Sequence, residues 1–173
     1  QSGLGRTGKL LAAEWEGVRA DMVTLGKALS GGMYPVSAVV ASKEVLGVFQ
    51  PGEHGSTFGG NPLACAVARE ALKVLVEEKL PERAQELGDY MLQRLRQIDS
   101  PHVAQIRGRG LWVGIVLKAS AGGARRFCEA LKERGVLAKE THWNVIRLAP
   151  PLVISREEID WALEHLTQVL QMP

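Results

Sequence analysis

Aromatic residues are scarce, at 5% of the 173 residues, cysteines number two, and charge of neither sign dominates. Each shortage excludes something. Lys and Arg total 21 against 19 Asp and Glu, and a net charge of +2 is too small and too interspersed for a nucleic-acid or membrane-surface footprint. No stretch approaches the ~18 apolar residues of a membrane span, and the N-terminus lacks the charged-then-apolar layout of a secretory signal. Cytoplasm is the expected compartment, or the mitochondrial matrix for a chain that carries a targeting segment. Cys65 and Cys128 lie far apart, without Cys-x-x-Cys or Cys/His ligand spacing, and read as two buried thiols rather than a disulfide or metal site. His54, His102, His142 and His165 are equally scattered, so no metal is predicted.

Hydrophobic residues make up 46% of the chain, enough for one sizeable core, and the length suits one domain or a large piece of a bigger protein. Gln1-Ser2-Gly3 opens with no methionine and no lead-in element, which suggests a piece of a longer chain with part of its chemistry upstream.

Residues 1 to 8 read as glycine-rich loop, and 10 to 15 as a short helix. Met22 to Leu25 and Val36 to Ala41 are short apolar runs, expected as core strands of an α/β layer. Asn61-Pro62 is a helix start, with the asparagine as cap and the proline where no amide partner is lost. Leu63, Val67, Ala71, Val74 and Leu75 then predict an apolar stripe, and Pro81 opens a second helix that uses Ala84, Leu87, Met91, Leu95 and Ile98. Residues from about 101 onward predict an α+β unit. Its strands are expected at 111–117, 136–139 and 145–148, with helices at about 124–134 and 156–170.

Lys27 is the residue that carries chemistry. It ends the run Met-Val-Thr-Leu-Gly-Lys, with glycines on both sides. An ammonium folded into an apolar setting loses hydration, and the free amine becomes available as a Schiff-base nucleophile. A snorkelling lysine at a strand end is the alternative. A second motif, Gly3-Leu-Gly5-Arg-Thr-Gly8-Lys9, matches G-x-G-x-x-G and nearly matches the triphosphate loop. Its context fails: Leu10 stands where a magnesium-binding hydroxyl is needed, no strand precedes it, and Asp21 arrives too early for a ribose carboxylate.

Taken in order, Gln1-Ser-Gly-Leu-Gly-Arg-Thr-Gly, Leu25-Gly-Lys-Ala-Leu-Ser-Gly-Gly and His54-Gly-Ser-Thr-Phe-Gly-Gly-Asn-Pro resemble the pyridoxal-phosphate-dependent class III aminotransferases. The resemblance covers essentially all 173 residues and corresponds to the C-terminal part of the family's chain. It implies an α/β fold, the C-terminal part of a fold-type I transferase. Residues 1–60 would end the large cofactor-binding domain, 61–100 form a long helical connection, and 101–173 make the small α+β domain. It also implies that Lys27 binds pyridoxal phosphate covalently and later shuttles a proton. Gln1 would lie beside the cofactor's phenolic oxygen, and Ser56 and Thr57 would reach the phosphate of the neighbouring subunit's cofactor. Arg147 would clamp a substrate carboxylate. The aspartate that pairs with the pyridine nitrogen would precede residue 1. Amino acid and oxo acid substrates and a homodimer with a shared cofactor site follow from the same resemblance. Two readings from other classes stay open: a non-catalytic segment that serves only dimerisation, and a nucleotide-binding module on residues 3 to 9.

Overall fold

The computed structural model describes residues 1–173. Two antiparallel sheets organise it. A two-stranded ribbon pairs β1 (Met22–Leu25) with β2 (Ala38–Ala41), and a four-stranded sheet has the order β3-β4-β6-β5. Its strands are β3 (Val103–Arg109), β4 (Trp112–Leu117), β5 (Lys139–Thr141) and β6 (Val145–Leu148). The helices are α1 (Lys43–Leu46), α2 (Pro62–Glu77), α3 (Leu80–Leu95), α4 (Arg125–Lys132) and α5 (Arg156–Val169). A short 3-10 turn at Ala12–Glu16 stands where the first helix is expected.

The main core lies between the four-stranded sheet and α3, α4 and α5. In β4 the alternation drives Val113, Ile115 and Leu117 inward, where they meet Leu95, Phe127, Leu131, Ile146, Ile159 and Leu166. Helix α5 is closed at its start by a reciprocal cap, in which Ser155 Oγ accepts from the Glu158 amide and Glu158 accepts from the Ser155 amide. A second, smaller cluster joins Leu4, Leu29, Ala68, Leu75 and Leu80. Thus α2 packs on the segment after β1, and α3 packs on β3.

Several expectations need correction. β1 and β2 are half-exposed in this chain rather than core strands, with Met22, Val39 and Val40 all more than half accessible. The buried positions of α2 are Ala64, Ala68 and Leu75, while Leu63 faces outward. Cys65, on the outward side of α2, is exposed. Cys128 is buried, and burial together with Glu140 pushes its thiol up to about 11. The strand expected at 136–139 begins only at Lys139, because α4 ends in a cap that uses the preceding backbone. There Gly135 is left-handed, and the Val136 amide donates to Leu131 O at 2.9 Å.

The glycine loop at residues 3–8 turns out to be a docking segment. Arg6 O accepts from the Leu111 amide at 3.1 Å, and the Trp15 indole N–H donates to Thr7 O at 2.9 Å. Lys9 and Arg109 each lie about 5 Å from the centre of the Trp15 ring, and Arg109 also pairs with Glu16 at 3.0 Å. Three backbones meet at this junction. A Cβ on Gly88 of α3 would fall 2.2 Å from Gly110 C, and one on Gly110 would fall 2.6 Å from Thr7 C. Gly88→Ala gains helix propensity but collides with backbone that cannot swing aside, so we expect a net loss of about 2 kcal/mol. A lower thermal-unfolding midpoint for G88A would bear this out, and a midpoint at or above that of the wild type would refute it.

Candidate active site

Lys27 enters the site on a constrained turn. β1 ends at Leu25, Gly26 is extended, and Lys27 itself takes φ 49°, a left-handed conformation that costs a non-glycine residue about 1–2 kcal/mol. Its neighbours hold it there. Leu29 and Ser30 are almost wholly buried, the Leu29 amide donates to Gly26 O at 3.1 Å, and Ser30 Oγ accepts from the Tyr34 amide at 3.3 Å. Gly31, also left-handed at φ 62°, ends the turn.

The side chain of Lys27 is exposed and forms no ion pair or hydrogen bond within the chain. This corrects the expected apolar enclosure: these 173 residues wall the amine on two sides and leave it open to solvent. What remains is a lysine side chain on a fixed backbone, without a partner in the chain.

Two clefts meet at Lys27. The larger, about 860 Å³, is lined by Gln1, Arg6, Lys27, Trp112, Arg147 and Leu152 among others. The smaller, about 500 Å³, is lined by Lys27, Tyr34, Ser56, Gly59, Gly60 and Asn61 among others. Gln1, Lys27 and Arg147, widely separated along the chain, therefore share one cavity.

Arg147 reaches that cavity through sheet geometry. On β6 the neighbours Ile146 and Leu148 face the core, so the two-residue period turns Arg147 to the opposite face. Its cross-strand partner in β4 is Gly114, which has no side chain to obstruct it. The guanidinium is half-buried and pairs with no carboxylate or carbonyl of the chain. A planar cation left free in a cleft suits a bidentate carboxylate ligand. Glu70, the acid on the cleft wall, lies 3.5 Å from Lys73.

The smaller cleft has oxyanion donors. Its floor is the start of the 16-residue helix α2, capped by Asn61 Oδ1, which accepts from the Ala64 amide at 2.9 Å. First-turn amides and the positive end of the helix dipole favour an anion there. Ser56 Oγ accepts from the Gly59 amide at 2.9 Å, an ordinary turn that still faces the cleft. Thr57 is exposed and lines neither cleft, so the structure brings Ser56 to Lys27 but not Thr57.

Trp112 and Arg6 are among the lining residues that have no site assignment in the sequence. Trp112 gives no signal beyond its place at the start of a strand. Arg6 sits inside the glycine motif that resembles a phosphate loop, which hides it. Its Nη1 donates to Leu111 O at 3.0 Å and to Pro150 O, and burial lowers its pKa from the ordinary value.

The residues present fit pyridoxal phosphate. A primary amine for the aldehyde and an amide side chain at Gln1 share the larger cleft, and they suit this cofactor's carbonyl and phenolic oxygen.

Known proteins match this chain in both sequence and fold. The family model described as Aminotransferase class-III matches residues 1–170. Ornithine aminotransferase from Geobacillus sp. (strain WCH70) is 59% identical over 169 residues, which is 98% of this chain and 42% of the relative. The ornithine aminotransferase of Halalkalibacterium halodurans is 58% identical over 171 residues, 99% of this chain and 42% of the relative. The solved ornithine delta-aminotransferase of Plasmodium falciparum superposes with a TM-score of 0.93 at 47% identity, covering 98% of this chain and 45% of that one. Acetylornithine aminotransferase from Elizabethkingia anophelis gives 0.92 at 48% identity, over 98% and 43% of the two chains. The chain thus spans about two fifths of the length of the curated relatives that it matches, 42% in each of these two cases. With the family model matched over residues 1–170, this chain belongs to the class III aminotransferases.

Proposed function

We propose that this chain supplies the lysine and the carboxylate clamp of a pyridoxal-phosphate-dependent ornithine aminotransferase. The full-length protein would move the δ-amino group of L-ornithine to 2-oxoglutarate, giving glutamate 5-semialdehyde and glutamate. The observation that carries the reading is the convergence of Gln1, Lys27 and Arg147 on one cleft. The names and identities of the curated relatives support ornithine as the donor. The segments Tyr34-Pro-Val-Ser-Ala-Val, Pro51-Gly-Glu-His-Gly-Ser-Thr, Leu137-Ala-Lys-Glu-Thr-His and Ile146-Arg-Leu-Ala-Pro-Pro-Leu-Val-Ile resemble the ornithine branch as well.

Pyridoxal phosphate, when bound, supplies the electron sink that stabilises negative charge on the substrate carbon. The residues of this chain do the rest. Lys27 would hold the cofactor through Nζ and, once released, carry a proton at that same nitrogen. Gln1 would donate to the phenolic oxygen. Arg147 would grip the carboxylate that ornithine and 2-oxoglutarate each present, holding the reacting end toward Lys27. Ser56 and Thr57 would serve the phosphate of a neighbouring subunit's cofactor in a homodimer, and the expected compartment is the cytoplasm.

The test is to incubate the full-length protein with ornithine and 2-oxoglutarate and to trap the cyclised semialdehyde. Trapped product and equimolar glutamate are expected. Turnover with acetylornithine or 4-aminobutyrate but none with ornithine would overturn the choice of donor. The 48% identity to an acetylornithine enzyme makes that comparison the necessary control.

A further inference from the structure

We propose that Arg6 is a positioning residue: it braces the strand end that carries Arg147 against the segment that carries Gln1, and so sets where a substrate carboxylate sits relative to Lys27. The inference rests on the proposed function and concerns a residue whose side-chain hydrogen bonds go to backbone carbonyls.

The geometry is that of a strut. One nitrogen of the Arg6 guanidinium donates to two carbonyls, Leu111 O in the β3–β4 turn and Pro150 O just beyond β6. Its own carbonyl accepts from the Leu111 amide, so residue 6 is tied to that turn twice, by backbone and by side chain. Close packing of Gly110 against residues 6 to 8 leaves the turn no slack. Pro150 lies three residues after Arg147, past the last paired residue of β6, Leu148. Both Pro150 and Pro151 lack a backbone N–H and cannot donate to extend the ladder. On the far side the same loop is held by Arg83, whose Nη2 donates to Ile154 O at 2.7 Å. The wall that carries Ala149 and Leu152 into the cleft is thus held between two arginines.

No carboxylate pairs with Arg6, and it lines the same cleft as Gln1, Lys27 and Arg147. Here its whole hydrogen-bonding role is to connect the two sides of the site, at the edge where the clamp is mounted. Partial burial lowers the Arg6 pKa from its ordinary value, and the two carbonyls are its hydrogen-bond partners in the chain.

The test uses the full-length enzyme with Arg6→Gln and Arg6→Lys, each also combined with Arg147→Lys. Arg6→Gln is expected to raise KM for both ornithine and 2-oxoglutarate ~10-fold, with kcat and the visible absorbance of the lysine-bound cofactor nearly unchanged. Arg6→Lys, a point charge with reach to one carbonyl, is expected to raise KM ~3-fold. In the Arg147→Lys background, adding Arg6→Gln should change KM by less than about 2-fold, because the effect runs through Arg147. Additive losses, a wild-type KM in Arg6→Lys, or a fall in kcat at constant KM would each overturn the brace. Should Arg6→Gln fail to fold, Arg6→Lys decides by the same readouts. A wild-type enzyme that does not use ornithine contradicts the proposed function instead, whereas normal turnover with unresponsive Arg6 variants contradicts the brace alone.

Discussion

Alanine at Lys27 in the full-length protein is expected to lower amino transfer by at least ~10⁴-fold, since it removes both the covalent attachment and the positioned proton carrier. The fold should not notice. Lys27 is exposed and bonds to nothing in the chain, and substitutions of that kind change stability by about 0.5 kcal/mol or less. Arginine at the same place is expected to be equally inactive, because a guanidinium stays protonated at neutral pH and offers no free nitrogen lone pair. Steady-state rates with thermal melting would check both variants together. Residual activity within ~10-fold of wild type in either would remove Lys27 from the chemistry.

The second large effect is at Arg147. Two charge-assisted hydrogen bonds to a carboxylate are each worth about 1.5–3 kcal/mol, so Arg147→Ala is expected to raise KM for both substrates ~10²-fold or more. The increase should fall mainly on KM, because a non-reacting carboxylate is gripped alike in ground state and transition state. Arg147→Lys keeps the charge but loses the fork, and an increase of ~10-fold is expected. Initial-rate kinetics with each substrate varied separately are the check. A KM change confined to one of the two substrates would contradict a shared clamp. Folding should again be spared, since Arg147 has no partner within the chain to lose.

Much of the fold is legible in the residues. Strong periodicity places β4, β6, α3, α4 and α5 almost where they lie, because each buries one face against the main core. β3 is hidden by its own composition. It is an edge strand whose outward positions include Arg107 and Arg109 with Gly108 between them, so it looks like loop and pairs only with β4. The start of β5 is obscured for another reason: Val136 and Ala138 have strand-forming and apolar character, yet they pack on the core from the end of the α4 cap.

The site was legible one residue at a time. Lys27 stands out from its glycines and apolar run, although the enclosure that this setting implied is not built by these residues. Gln1, Ser56, Thr57 and Arg147 are ordinary in their local context and came only through resemblance. Their meeting in space depends on which face of β6 looks outward and on a loop docked through Arg6, and neither is written in local spacing. Arg6 itself was masked by a glycine pattern that resembles a nucleotide loop and serves as a backbone junction.

Chemical trapping decides whether Lys27 is the cofactor lysine. The full-length protein would be loaded with pyridoxal phosphate, treated with borohydride to fix the lysine–cofactor linkage, digested, and mapped by mass spectrometry. The reduced cofactor is expected on the peptide that contains Lys27 and on no other lysine of the chain. Label on a different lysine, or a protein that takes up the cofactor with Lys27 unmodified, would contradict it.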